Sequence, residues 1–128
     1  MKKDQLAIVI DDTEAVRNTI SNWLEEDGIN VIKASDGKEA YEKILEEENQ
    51  LTLIICDFYL PTMNGIELLK KLEDNNIGKH IPKVLLSTET PKLKELNFNS
   101  ISKYKCWLLK PLEKEFFIKN MKKIGFFK

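Results

Sequence analysis

The residues of this chain best suited to chemistry stand where short apolar runs end. Asp11-Asp12 follows Leu6–Ile10, Asp57 follows Leu51–Cys56, Ser87-Thr88 follows Val84–Leu86, and Lys110 follows Cys106–Leu109. If those runs are neighbouring strands, the polar groups converge on one pocket. Carboxylates held together repel one another, and a hard divalent cation taking oxygen ligands, Mg²⁺ above all, is the common remedy. The Ser87 hydroxyl and the Lys110 ammonium suit the oxygens of a phosphoryl group rather than the metal. An Asp carboxylate can itself accept that group as a nucleophile, giving an aspartyl phosphate, while the metal and Lys110 neutralise the charge that moves. Each residue also has a plainer reading. Asp11-Asp12-Thr13 is good helix-cap chemistry, Asp57 and Ser87 are ordinary turn residues, and Lys110 is a lysine at a strand end. Their joint placement favours the chemical reading.

The elements that must position these groups follow from hydrophobic period. Leu6–Ile10 is nearly continuous and β-branched, as a strand covered on both faces should be. Val16, Ile20, Trp23 and Leu24 then recur on one helical face, and Gly28 stands just past its end. Val31-Ile32 with Ala34 reads as a second strand, and Ser35-Asp36-Gly37 as the cap of a helix carrying Ala40, Tyr41, Ile44 and Leu45. After the third run, Pro61 and Asn64-Gly65 make a turn into a helix with Ile66, Leu69 and Leu72. Val84–Leu86 is the fourth strand, Pro91 opens a fourth helix with a weaker stripe, and Cys106–Leu109 is the fifth strand. Phe117, Met121 and Ile124 line a fifth helix. Strands alternating with helices predict an α/β fold, a five-stranded parallel sheet covered on both faces. Among right-handed arrangements we favour the flavodoxin-like order 2-1-3-4-5 of a (βα)5 sandwich, in which ligands bind beyond the carboxyl ends of the strands.

Composition narrows the function classes. The 128 residues of one chain have the size of a single domain, 1–128, with no room for an effector domain. Twenty basic against 21 acidic residues give a net charge of −1, unlike a nucleic-acid binder, and Arg17 is the only arginine. No stretch has the length of a signal peptide or a membrane span, so a cytoplasmic protein is expected. Cys56 and Cys106 are too few for a zinc set and read as small apolar residues. His80 is the single histidine and lies in a polar loop, which argues against histidine-based catalysis. Glu46-Glu47-Glu48 and Lys122-Lys123 read as solvated helix ends, and Phe126-Phe127 as a contact folding back onto the last helix.

Taken in order, Ile10-Asp11-Asp12, Cys56-Asp57-Phe58-Tyr59-Leu60-Pro61-Thr62-Met63-Asn64-Gly65, Leu86-Ser87 and Trp107-Leu108-Leu109-Lys110-Pro111 resemble the response-regulator receiver domain over essentially the whole chain. The resemblance implies a phosphoacceptor at Asp57 and Mg²⁺ held by Asp11, Asp12, Asp57 and the backbone carbonyl of Tyr59. It implies a switch hydroxyl at Ser87, phosphoryl contacts from Lys110 and the neighbouring Thr88, and a switch aromatic at Trp107. Pro61, Gly65 and Pro111 take structural positions, with a cis Lys110-Pro111 bond. A histidine kinase or histidine phosphotransfer protein would be the donor. The output would be binding of a separate protein through the fourth helix, fifth strand and fifth helix, as in a chemotaxis motor regulator or a phosphorelay carrier, with no nucleic acid or membrane involved.

Some positions depart from the family's pattern. Thr88 stands where the family has Ala or Gly, and Tyr59 and Glu89 occupy the variable positions that modulate dephosphorylation. The segment 93–105 lacks the family's usual Gly-Ala. These departures keep open a degenerate receiver that binds its partner without phosphorylation. A haloacid-dehalogenase-type phosphatase would need a second Asp where this chain has Tyr59, and a flavodoxin-like FMN carrier would need a Ser/Thr/Gly-rich loop in place of Asp11-Asp12-Thr13-Glu14.

Overall fold

A computed structural model describes residues 5–88 and 105–124. The apolar runs form β1 (Leu6–Ile10), β2 (Asn30–Ala34), β3 (Leu53–Asp57), β4 (Lys83–Ser87) and β5 (Lys105–Leu109). All are parallel, in one sheet of order β2-β1-β3-β4-β5, as the alternation of strand and helix predicts. The helices are α1 (Glu14–Glu26), α2 (Gly37–Glu47), α3 (Gly65–Asp74) and α4 (Lys114–Lys123), the last being the fifth helix of the sequence reading. The helix expected after Pro91, Glu89, segment 93–104 and Phe126-Phe127 lie outside the described residues.

Alternation along the strands divides the core in two. Ile8, Ile10, Ile54, Cys56 and Leu85 pack on α2 and α3 through Ala40, Ile44, Leu68, Leu69 and Leu72. Ala7, Val9, Leu53, Ile55, Val84, Leu86 and Leu108 face the other way, onto Ile20 and Leu24 of α1 and Phe117 and Met121 of α4. Each of the large side chains buried here contributes about 1.5–3 kcal/mol.

Helix ends follow local chemistry. Asn64 closes a capping box with Glu67 before α3, and the Asp36 side chain accepts the Glu39 amide at 2.8 Å before α2. Gly28 (φ 80°) and Ile29 return amides to Glu25 and Leu24 at 2.9 and 3.1 Å, a Schellman ending in which only a left-handed residue fits. The cap at α1 differs from the sequence reading. Thr13 is its N-cap but makes no side-chain cap bond; instead the Thr13 amide donates to Asp11 Oδ1 at 2.9 Å, which ties Asp11 to the turn.

At the amino-terminal pole of the sheet β4 begins one residue earlier than its apolar run, with Lys83, only 1% exposed. Its ammonium donates to the Gly78 and Ile81 carbonyls at 2.8 and 2.9 Å. Burial pushes its pKa down, and the nearby Glu73 carboxylate opposes that shift. Beside it Glu48 accepts the Gly78 amide at 2.9 Å, so this glutamate is more than a solvated helix end. Lys83 therefore pins the turn between α3 and β4. Replacing it with Met keeps the volume but strands two carbonyls and a carboxylate. Lys83→Met should cost about 1–3 kcal/mol in urea denaturation; unchanged stability would mean the ammonium holds nothing.

Candidate functional site

The register carries the polar strand ends to one edge. Ile10 pairs with Ala34 and Cys56, Asp57 with Leu86, and Ser87 with Leu109. Asp11 is thus level with Asp57, and Lys110 follows the last pair of β5. Backbone bonds extend the ladder past the strands: Asp11 donates to the Ala34 carbonyl at 3.1 Å, Phe58 to Leu86 and Lys110 to Ser87, both at 2.7 Å. These side chains grow from a rigid lattice, not from loops.

Asp11, Asp12 and Asp57 bring their carboxylate oxygens within 4.8 Å of one another; Asp11 and Asp57 are buried and Asp12 is exposed. Lys110 Nζ bridges the buried two, 2.8 Å from Asp11 Oδ2 and 3.2 Å from Asp57 Oδ2. Three anions thus meet one cation among the described residues of the cluster. Burial raises the Asp57 pKa, and repulsion from Asp11 adds to it; the charge and hydrogen bond of Lys110 and the Tyr59 backbone amide pull the other way without reversing the shift. Burial opposes the charge on Lys110, but its bonds and attraction to Asp11 and Asp57 hold its pKa above the ordinary lysine value. The donors are all oxygen and the charge is unbalanced, so Asp11, Asp12 and Asp57 fit a hard divalent cation.

Other predicted positions surround this cluster. Ser87 is buried at the end of β4, and Thr88 beyond it is exposed. Tyr59 is half exposed, its ring edge-on to Phe58 at 4.7 Å. Trp107 is partly buried, 5.7 Å from the Phe58 ring, and packs on the core shared with α2 and α3. The Lys110-Pro111 bond is cis. Gly65 starts α3 so close to β3 that an added Cβ would lie 2.6 Å from the Asp57 carbonyl and 2.9 Å from Leu85 Cδ2. A cavity of about 420 Å³ opens beside Lys110, lined by Thr88, Pro111, Leu112 and α1 residues including Val16 and Trp23. Cys56 and Cys106 are free thiols, the first buried.

Two contributors escape a motif reading. The Tyr59 amide serves Asp57 through the backbone, which no side-chain type announces. Arg17 donates from Nη1 to the Asp11 carbonyl at 2.6 Å; its signal was that it is the chain's single arginine, set shortly after the acidic pair.

Comparison with known proteins agrees with this geometry. The profile of the response regulator receiver domain matches residues 7–122. The chemotaxis protein CheY1 of Helicobacter pylori is 37% identical over 86 residues, covering 66% of this chain and 68% of that protein. The two-component response regulator ORR5 of Oryza sativa is 37% identical over 82 residues, 64% of this chain and 60% of that one. The solved chemotaxis response regulator CheY4 of Vibrio cholerae superposes with a TM-score of 0.83 at 28% identity, covering 96% of this chain and 99% of that chain. Among the described residues no helix is long and apolar enough to cross a membrane.

The raised Asp57 pKa fixes the sign of a stability change. A carboxyl whose folded pKa lies above its unfolded value costs stability once pH rises past the folded pKa, and costs nothing where both states are protonated. Asp57→Asn in the metal-free protein should therefore melt several degrees higher at neutral pH, the gain shrinking as pH falls through the carboxylate range. A lower melting temperature at neutral pH would mean that pairing with Lys110 outweighs burial and repulsion.

Proposed function

The chain belongs to the response regulator receiver domain family, and from that premise we propose that it is a phosphorylation-gated regulator whose acceptor is Asp57. The observation that carries this reading is the Lys110 ammonium shared by Asp11 and Asp57 inside a cluster of three carboxylates. It is a signalling domain rather than a classical enzyme, promoting only its own phosphorylation and dephosphorylation.

In the proposed transfer, one Asp57 oxygen attacks the phosphorus of a phosphohistidine on a histidine kinase or histidine phosphotransfer protein. The P–O bond to Asp57 forms as the P–N bond breaks, and the released imidazole nitrogen takes up a proton. Asp11, Asp12, Asp57 and the Tyr59 carbonyl would hold Mg²⁺, which would supply countercharge to the phosphoryl oxygens. Lys110, now bridging two aspartates, supplies a second positive charge from the opposite strand; its partial burial strengthens that contribution. The Ser87 hydroxyl and Thr88 lie at the next strand end, placed to meet the transferred group.

Signalling in this reading is a local charge change that biases a packed element. Ser87 shifts toward the phosphoryl group, Trp107 follows, and the face that carries β5 and α4 exchanges partners. Leu109 and Phe116, 47% and 50% exposed on β5 and α4, supply apolar surface there. Similarity to a chemotaxis protein and to a two-component response regulator supports a signalling role, with a motor regulator and a phosphorelay carrier as the two settings of this proposal.

Acetyl phosphate, which replaces the phosphohistidine by a small acyl phosphate, tests the acceptor directly. With Mg²⁺ present, intact-mass spectrometry should show one added phosphoryl group on the wild-type chain and none on Asp57→Asn or after chelation. An unmodified wild type, or an equally modified Asp57→Asn, would overturn the reading. Tyr59, two residues beyond the acceptor, is the side chain we expect to screen the acyl phosphate from water, so Tyr59→Ala should shorten the phosphoryl lifetime several-fold; an unchanged decay rate would remove Tyr59 from the hydrolysis step.

A further inference from the structure

We propose that Arg17 is a positioning residue for the acidic pair: by fixing the Asp11–Asp12 peptide it sets where the Asp12 carboxylate points, and so sets the affinity of the divalent-cation site. The inference rests on the reading of Asp11, Asp12 and Asp57 as that site.

The three carboxylates are not held alike. Asp11 is anchored at three points: its amide on the Ala34 carbonyl at 3.1 Å, Oδ1 on the Thr13 amide at 2.9 Å and Oδ2 on Lys110 at 2.8 Å. Asp57 is anchored by Lys110 and the Tyr59 amide. Asp12 is exposed, and among the described residues its side chain joins no hydrogen bond or ion pair. Its direction is therefore inherited from its backbone. The peptide that enters Asp12 carries the Asp11 carbonyl, and that carbonyl accepts Arg17 Nη1 at 2.6 Å. A charged donor at this distance makes a strong bond, and fixing the carbonyl fixes the plane from which Asp12 departs.

Arg17 is well anchored for this work. Its amide donates to the Thr13 carbonyl at 3.0 Å, and the buried Ser21 hydroxyl donates to the Arg17 carbonyl at 2.7 Å. A ring of bonds thus runs from Asp11 through Thr13 and Arg17 back to Asp11.

Charge alone predicts the opposite effect. A guanidinium bonded to the Asp11 carbonyl adds positive charge that repels an incoming cation, so removing it should tighten metal binding if charge were its only influence. Positioning predicts weaker binding instead. Arg17→Met removes charge and donor together, whereas Arg17→Lys keeps a charge and one donor. The Mg²⁺ affinity of each folded variant is read by tryptophan fluorescence with magnesium chloride as the titrant, well below the melting temperature found by circular dichroism. We expect Arg17→Met to bind about 10-fold more weakly, the loss typical of removing an outer-shell partner, and Arg17→Lys to recover most of it. Binding by Arg17→Met that equals or exceeds the wild type overturns the proposal, as does an Arg17→Lys no better than Met. Should Arg17→Met fail to fold, Arg17→Lys against Arg17→Gln gives the same comparison. A wild type that itself binds no Mg²⁺ would instead overturn the reading of the site on which this inference rests.

Discussion

Three carboxylates crowded around one ammonium are the constraint that organises this protein. At separations within 4.8 Å each like-charged pair costs about 3.5 kcal/mol or more at an effective dielectric near 20. Lys110 offsets part of this through contacts of 2.8 and 3.2 Å, yet Asp57 is still left with a raised pKa. A loop would relax such repulsion by moving apart. Here Asp11, Asp57 and Lys110 continue β1, β3 and β5, and their backbones stay in the ladder beyond the last strand residue. The unbalanced charge is therefore maintained by the sheet, and with it the fit of the site to a hard divalent cation.

Much of the scaffold can be understood as keeping that row of groups in place. The alternating buried faces lock the register, because a slip of one residue would turn every core side chain outward. Gly65 lets α3 start against the Asp57 backbone with no Cβ between them. The Asn64–Glu67 capping box and the Schellman ending after α1 set where helices begin and stop. At the far pole the buried Lys83 ties the turn before β4, so the strand that carries Ser87 is pinned at its start as well as at its end.

The alternating strands and helices, the strand-end carboxylates and Lys110 were legible because each depends on a local pattern: β-branched runs, a change of hydrophobic period, a polar residue at the change; the strand order was a choice among right-handed arrangements. Gly28 and Asp36 were legible for the same reason. What escaped depends on long-range burial or on backbone groups. Lys83 stands just before the apolar run of β4 with no signal of its own, and only the fold shows that it is covered and bonded to two carbonyls. Glu48 looked like one of three solvated glutamates until Gly78 was found beside it. Asp11 was expected to converge with Asp57 and Lys110, and Lys110 does reach its Oδ2; that its Oδ1 also takes the Thr13 amide shows only in the fold. The Tyr59 amide and the Arg17 contact to a main-chain carbonyl leave no trace in residue type, since any residue has the first and the second needs the turn to be known.

The central claim, that one divalent cation answers the charge imbalance of Asp11, Asp12 and Asp57, is most directly tested by titration calorimetry with Mg²⁺ on the wild type, Asp12→Asn and Asp57→Asn. The account predicts a single site in the wild type and binding weakened at least about 10-fold when either carboxylate is neutralised. Absent binding in the wild type, or equal affinity in all three proteins, would contradict it.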